Sequence, residues 1–116
     1  MENEKKNIIL EKSFQLALKI IKLTTELNKK NRILADQILR SGTSVGANLN
    51  EAQAALTKKE FIAKVSIAAK EIRETKYWLS LLTESNLINR EIDLENLIDD
   101  IIKITTKIIK TSQENN

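Results

Sequence analysis

Residues Gln37 to Gln53 read QILRSGTSVGANLNEAQ and hold both glycines of a 116-residue chain that has no proline. Ile38, Gly42, Val45, Leu49, Ala52 and Leu56 follow one another at alternating steps of four and three. That spacing keeps side chains on one seam of a helix packed against neighbouring helices. The stretch is therefore read as a helix, glycines included, against the alternative of a Ser/Gly loop between two short helices. The unbroken seam favours the helix. Each glycine costs a helix interior about 1 kcal/mol relative to alanine, and together with Ser41, Ser44 and Ala47 the pair makes this segment thin. Such thinness predicts the close approach of another backbone.

Working outward, this helix is expected over residues 32–55. Its end is marked by Thr57-Lys58-Lys59-Glu60, a capping box flanked by Leu56 and Phe61 at the two staple positions. The next helix, 58–85, has the seam Phe61, Val65, Ala68, Ile72, Leu79 and Leu82, with Thr75 at the one polar step. Roughly 28 residues at 1.5 Å each give about 40 Å, which sets the height of a bundle. Ile67, Trp78 and Leu81 fall on the opposite flank and are candidate interface residues. Trp78, the sole tryptophan, is read as a core or interface side chain rather than a base-stacking platform.

Upstream, the short polar turn NKKN at 28–31 makes the preceding helix, 8–28, an antiparallel neighbour. That helix carries two apolar stripes. Leu10, Phe14, Ala17, Leu18 and Ile21 form one, and Ile9, Leu16, Ile20, Leu23 and Leu27 form another nearly opposite. A small bundle needs one stripe per helix. The second is therefore read as surplus, covered by another subunit or by a tightly wrapped neighbour, which makes Leu16, Ile20, Leu23 and Leu27 candidate interface residues.

The linker 84–89 supplies Ser85, Asn86 and Asn89 as turn and cap residues before a last helix over 90–112. Leu94, Leu97, Ile101, Ile104 and Ile108 give that helix its seam, with acids early and Lys103, Lys107 and Lys110 late, as the helix dipole favours. The pattern specifies one all-α domain over 1–116, an antiparallel up-and-down four-helix bundle. A chain of this length buries roughly two-thirds of its unfolded surface and needs no staple.

The stretch QILRSGTSVGANLNEAQ, continued by KKEFIAKVSIAAKEIRETKYWLSLL at 58–82, resembles the four-helix-bundle family encoded in intervening sequences of bacterial 23S ribosomal RNA genes. The Ser-x-x-x-Asn-x-x-Glu core, here Ser44, Asn48 and Glu51, carries the resemblance most specifically. It implies an up-and-down bundle that assembles as a homo-oligomer, a ring of five. The accessory proteins of diversity-generating retroelements are similar and work with a reverse transcriptase and RNA, so RNA and a reverse transcriptase are the partners the resemblance implies.

The side-chain inventory limits the chemistry. With no histidine and no cysteine the chain offers no Ser-His-Asp or Cys-His arrangement, no disulfide and none of the Glu-x-x-His ligands of di-iron bundles. Gly42 and Gly46 lack the surroundings of a phosphate loop. Asp99 and Asp100 point in different directions from adjacent helix positions, Asp99 standing four before Lys103 for an ordinary ion pair. The expectation is a protein that is not an enzyme and holds no cofactor or metal. The N-terminus MENEKKNIILEK mixes acids with its lysines and has a short apolar run, so neither a signal peptide nor a membrane anchor is expected, and a cytoplasmic location fits.

Two polar sets remain. Arg40, Ser44, Asn48 and Glu51 lie along one flank of the second helix beside its seam. They either bond a neighbouring helix and fix register, or recognise an RNA or protein ligand, and their closeness to the seam favours packing. Nucleic acid has better candidates in Lys12, Lys19, Lys22 and Lys29 on the first helix and Lys59, Lys70 and Arg73 with Tyr77 on the third. The net charge of +3, from 19 basic and 16 acidic residues, is a mild bias for a nucleic-acid binder. A ring would multiply it.

Overall fold

The computed structural model describes the backbone of residues 2–115 and the side chains of residues 8–115. Among the described residues there are four helices, α1 (Glu2–Leu27), α2 (Arg32–Ala52), α3 (Lys58–Glu84) and α4 (Ile92–Glu114). Each packs on its two neighbours around an up-and-down bundle, α1 on α2, α2 on α3, α3 on α4, and α4 back on α1. The bundle measures 48 × 22 × 18 Å. The helix reading of Gln37–Gln53 holds up to Ala52, so the loop alternative is removed.

Local chemistry sets the ends. Asn31 caps α2, its side chain accepting from the Leu34 amide at 3.0 Å. α2 stops three residues short of the expected 55, because the amides of Gln53, Ala54 and Ala55 bond three residues back, to Asn50, Glu51 and Ala52, and tighten the last turn. This carries Leu56 off the seam to 92% exposure, so the staple with Phe61 is not closed. Thr57 caps α3 by accepting from the Glu60 amide at 3.1 Å. Glu60 reaches back one residue further than a standard capping box, accepting from the Leu56 amide at 3.2 Å.

α3 ends in a Schellman motif. Asn86 takes the left-handed conformation at φ 62°, the amide of Leu87 bonds the Leu82 carbonyl at 3.1 Å, and that of Asn86 bonds Thr83 at 3.0 Å. α4 begins after Glu91 with no side-chain cap, so Asn89 does not serve as one. The Arg90 guanidinium instead grips the Glu95 carboxylate at 3.1 Å across the first turn.

The thin segment of α2 faces α1, and its two glycines do different things. A Cβ on Gly42 would lie 2.9 Å from Cγ1 of Ile20, so Gly42 makes room for a side chain rather than a backbone. At Gly46 a Cβ would meet Ser13, its Oγ at 3.3 Å and its carbonyl at 3.6 Å, which is the expected close approach of a backbone.

This contact decides which stripe of α1 is the core. Ile9, Leu16, Ile20 and Leu27 are at most 1% exposed and Leu23 packs against them, whereas Phe14, Leu18 and Ile21 face outward. The expected assignment is therefore reversed. Leu16, Ile20, Leu23 and Leu27 belong to the core of their own chain, and the surplus stripe is the one carrying Phe14. Both stripes are apolar, but Ser13, buried and small, lies on the core side and lets α1 approach Gly46.

At the α2/α3 seam the buried hydroxyls of Ser41 and Thr75 bond each other at 2.9 Å, and Thr75 reaches the Glu71 carbonyl at 2.8 Å. Thr75 is thus a satisfied polar step in an apolar seam. Among the described residues no buried side-chain nitrogen or oxygen lacks a partner.

Candidate nucleic-acid interface

The polar flank of α2 turns toward α3. Ser44 Oγ donates to the Glu71 carboxylate at 2.9 Å, and the Arg40 guanidinium reaches the same carboxylate at 3.3 Å and also pairs with Glu74. Glu74 in turn accepts from the Trp78 indole at 2.9 Å. Further along, Glu51 pairs with Lys64 at 2.8 Å. Asn48 differs from the rest, donating to the Ser44 carbonyl of its own helix at 2.9 Å. Arg40, Ser44 and Glu51 thus bond the neighbouring helix, and Trp78 is half-buried with its polar edge held. Sequence reasoning did not find Glu71 and Glu74, which stand 31 and 34 residues from Arg40.

The candidate cations of α1 separate into two kinds. Lys12 is drawn to Asp100 of α4 at 3.2 Å and Lys29 lies 3.6 Å from Glu26. Lys19 and Lys22 are exposed, and among the described residues neither has an acidic partner. On α3, Lys59, Lys70 and Arg73 are likewise exposed without acidic partners among the described residues. Tyr77 is 60% exposed and meets Trp78 edge-on, ring centroids 5.2 Å apart.

Asp99 does not pair with Lys103, as the helical spacing predicts, but crosses to Lys76 of α3 at 2.9 Å. Lys103 is left exposed beside Arg73. In sequence the lysines of α4 are accounted for by the helix dipole alone. Their late clustering on a helix that runs antiparallel to α3 is what sets Lys103 beside Arg73.

Besides isolated Ile33, Leu56 and Ile92, exposed apolar side chains recur along two helices. Phe14, Leu18 and Ile21 are 61%, 46% and 48% exposed on α1, and Ile67 and Leu81 are 42% and 38% exposed on α3. α1 and α3 are diagonal in the bundle, so these patches look in different directions. Among the described residues no helix is long and apolar enough to cross a membrane. Nor does any group of three or more acidic, histidine or cysteine side chains there form a metal-binding cluster.

Fold and surface together define a small all-α bundle in which Glu51, Glu71, Glu74, Asp99 and Asp100 bond across helix–helix seams. The family model of the 23S rRNA-intervening sequence protein matches residues 5–110, and the chain belongs to that family. A solved structure, a protein of unknown function from the S23 ribosomal protein family of Bacteroides thetaiotaomicron, is 42% identical with a TM-score of 0.88. The match covers 91% of this chain and 98% of that one. The comparison with curated proteins found no match.

Proposed function

We propose that this protein is a non-catalytic, self-assembling bundle that associates with RNA. The observation that carries the reading is the division of charge. Acids such as Glu51, Glu71, Glu74 and Asp99 are spent on cross-helix bonds, while Lys19, Lys22, Lys59, Lys70 and Arg73 face solvent without acidic partners among the described residues. These cations stand on outer faces, where they attract polyanions. The family's link to intervening sequences of ribosomal RNA genes points the same way.

Assembly is supported by the two apolar patches. Because they lie on diagonal helices and differ in sequence, they fit a head-to-tail contact, which closes into a ring, better than the self-complementary contact of a two-fold dimer. A ring of five is the form the family resemblance implies, and a cytoplasmic location and a reverse-transcriptase partner are carried as parts of the same proposal. The competing reading, a protein-interaction scaffold with no nucleic-acid role, rests on these same apolar patches. Binding of cellular RNA across a salt series separates the two. The RNA reading requires affinity that falls steeply as salt rises, and absence of affinity at low salt leaves the scaffold.

A further inference from the structure

The bridge from Lys76 to Asp99, at 2.9 Å, spans the groove between α3 and α4 and marks a change of charge along it. Toward the start of α4 the acids Glu95, Asp93 and Glu91 follow. Toward its end Asp100 turns to Lys12 of α1, and Lys103, Lys107 and Lys110 follow with no further acid until Glu114. α3 runs the other way along this basic half, through Arg73 and Lys70. Its acids there, Glu71 and Glu74, are turned aside to hold Arg40 and Ser44 of α2. Cations therefore stand on both rims with no competing carboxylate beyond the bridge.

Arg73 and Lys103 share an open cavity of about 600 Å³ with Tyr77, Ile102 and the Lys76–Asp99 bridge, whose lysine already neutralises the one carboxylate in its lining. Neither Arg73 nor Lys103 has an ion-pair partner among the described residues. Tyr77 stands at the rim, its ring set against Trp78, which Glu74 holds by the indole nitrogen. An exposed ring braced in this way offers a face to a base at little ordering cost. Packed helix axes lie roughly 8–10 Å apart, so the furrow between α3 and α4 matches the width of one nucleic-acid backbone.

We infer that the α3/α4 groove is the path of a single RNA strand, its phosphates held by Lys70 and Arg73 on one rim and Lys103 and Lys110 on the other, with a base stacked on Tyr77. This rests on the RNA reading above and adds the strand form and the surface. Four cations neutralising four phosphates of a single strand give a log–log salt slope of about −3. Lys19 and Lys22 of α1 lie outside this path.

The test is fluorescence anisotropy with a labelled oligouridylate and a blunt RNA duplex of equal length. The proteins are the wild type, Arg73→Glu with Lys103→Glu, Lys19→Glu with Lys22→Glu, Tyr77→Ala and Tyr77→Phe, all at exposed positions and checked for helicity. The groove pair is expected to lose at least tenfold in single-strand affinity and to flatten the slope by roughly half. The α1 pair, which removes exposed charge away from the groove, should lose clearly less affinity than the groove pair, Tyr77→Ala should lose about fivefold or more while Tyr77→Phe keeps its affinity, and the duplex should bind more weakly than the strand. Wild-type RNA binding that survives in the groove pair, or that prefers the duplex, overturns the groove and leaves the RNA reading standing. A wild type without affinity for either RNA overturns both.

Discussion

Gly42 of α2 lies against Ile20 of α1 so closely that a methyl group added to the glycine would stand 2.9 Å from Ile20 Cγ1 and 3.1 Å from Cγ2. Ile20 is fully buried and β-branched, so it has little freedom to move aside. The seam quoted from the sequence is thus thin at Gly42 because α1 supplies the missing bulk there.

Gly42→Ala should therefore destabilise the bundle. The alanine gains about 1 kcal/mol in helix propensity, but overpacking a filled core costs about 1–3 kcal/mol, and a net loss of about 1 kcal/mol is expected in urea unfolding. Gly46→Ala meets the Ser13 hydroxyl at 3.3 Å, a group that can yield by a few tenths of an ångström. It should be at least as stable as the wild type, and the reverse order of the two variants would contradict the packing described.

Asn86 ends α3 in the left-handed region at φ 62°. Replacement by valine should cost about 1–2 kcal/mol, because a Cβ-branched residue is strained there. Asn86→Gly should retain or raise stability, since glycine is the usual residue at this place in a Schellman motif. Thermal unfolding of the pair reads the difference.

The hydroxyls of Ser41 and Thr75 satisfy each other in the core at 2.9 Å. Thr75→Val removes the hydroxyl that donates to Ser41 Oγ and leaves Ser41 only its long 3.4 Å bond to the Ile38 carbonyl, and a loss of about 1–2 kcal/mol follows from an under-satisfied buried hydroxyl. Ser41→Ala combined with Thr75→Val should cost less than the sum of the single changes, because both partners then leave together. A double-mutant cycle that is strictly additive would contradict the pairing.

On α1, Phe14 and Leu18 are 61% and 46% exposed, whereas Leu16 and Ile20 are fully buried. Phe14→Glu with Leu18→Glu should leave helicity and unfolding midpoint close to wild type while lowering the mass in sedimentation. Leu16→Ala should instead cost about 2–5 kcal/mol of stability, as a cavity in the core does. Equal loss of fold in both would return the Phe14 stripe to the core.

Much of this architecture is legible in the sequence, and the exceptions have physical causes. Thr57 and Glu60 announce their boundary because a cap is a local arrangement of four residues, and the seam from Ile38 to Ala52 is equally local in its spacing. α1 misleads because both of its stripes are apolar. The choice between them depends on Ser13 meeting Gly46, a contact 33 positions apart that no periodicity reports. Arg40 and Ser44 stand out as polar residues beside a seam, but their partners Glu71 and Glu74 come from another helix. The basic half of the α3/α4 groove emerges after antiparallel packing brings the late lysines of α4 alongside Arg73.

The central claim is that the protein is an assembly that takes up RNA through its unpaired cations, and its most direct test is solution mass by light scattering. The wild type is measured alone and with cellular RNA across a salt series. The account predicts a particle several times the 13.2 kDa of one chain, which gains mass with RNA at low salt and loses it as salt rises. A 13.2 kDa particle whose mass is indifferent to RNA at every salt concentration would contradict it.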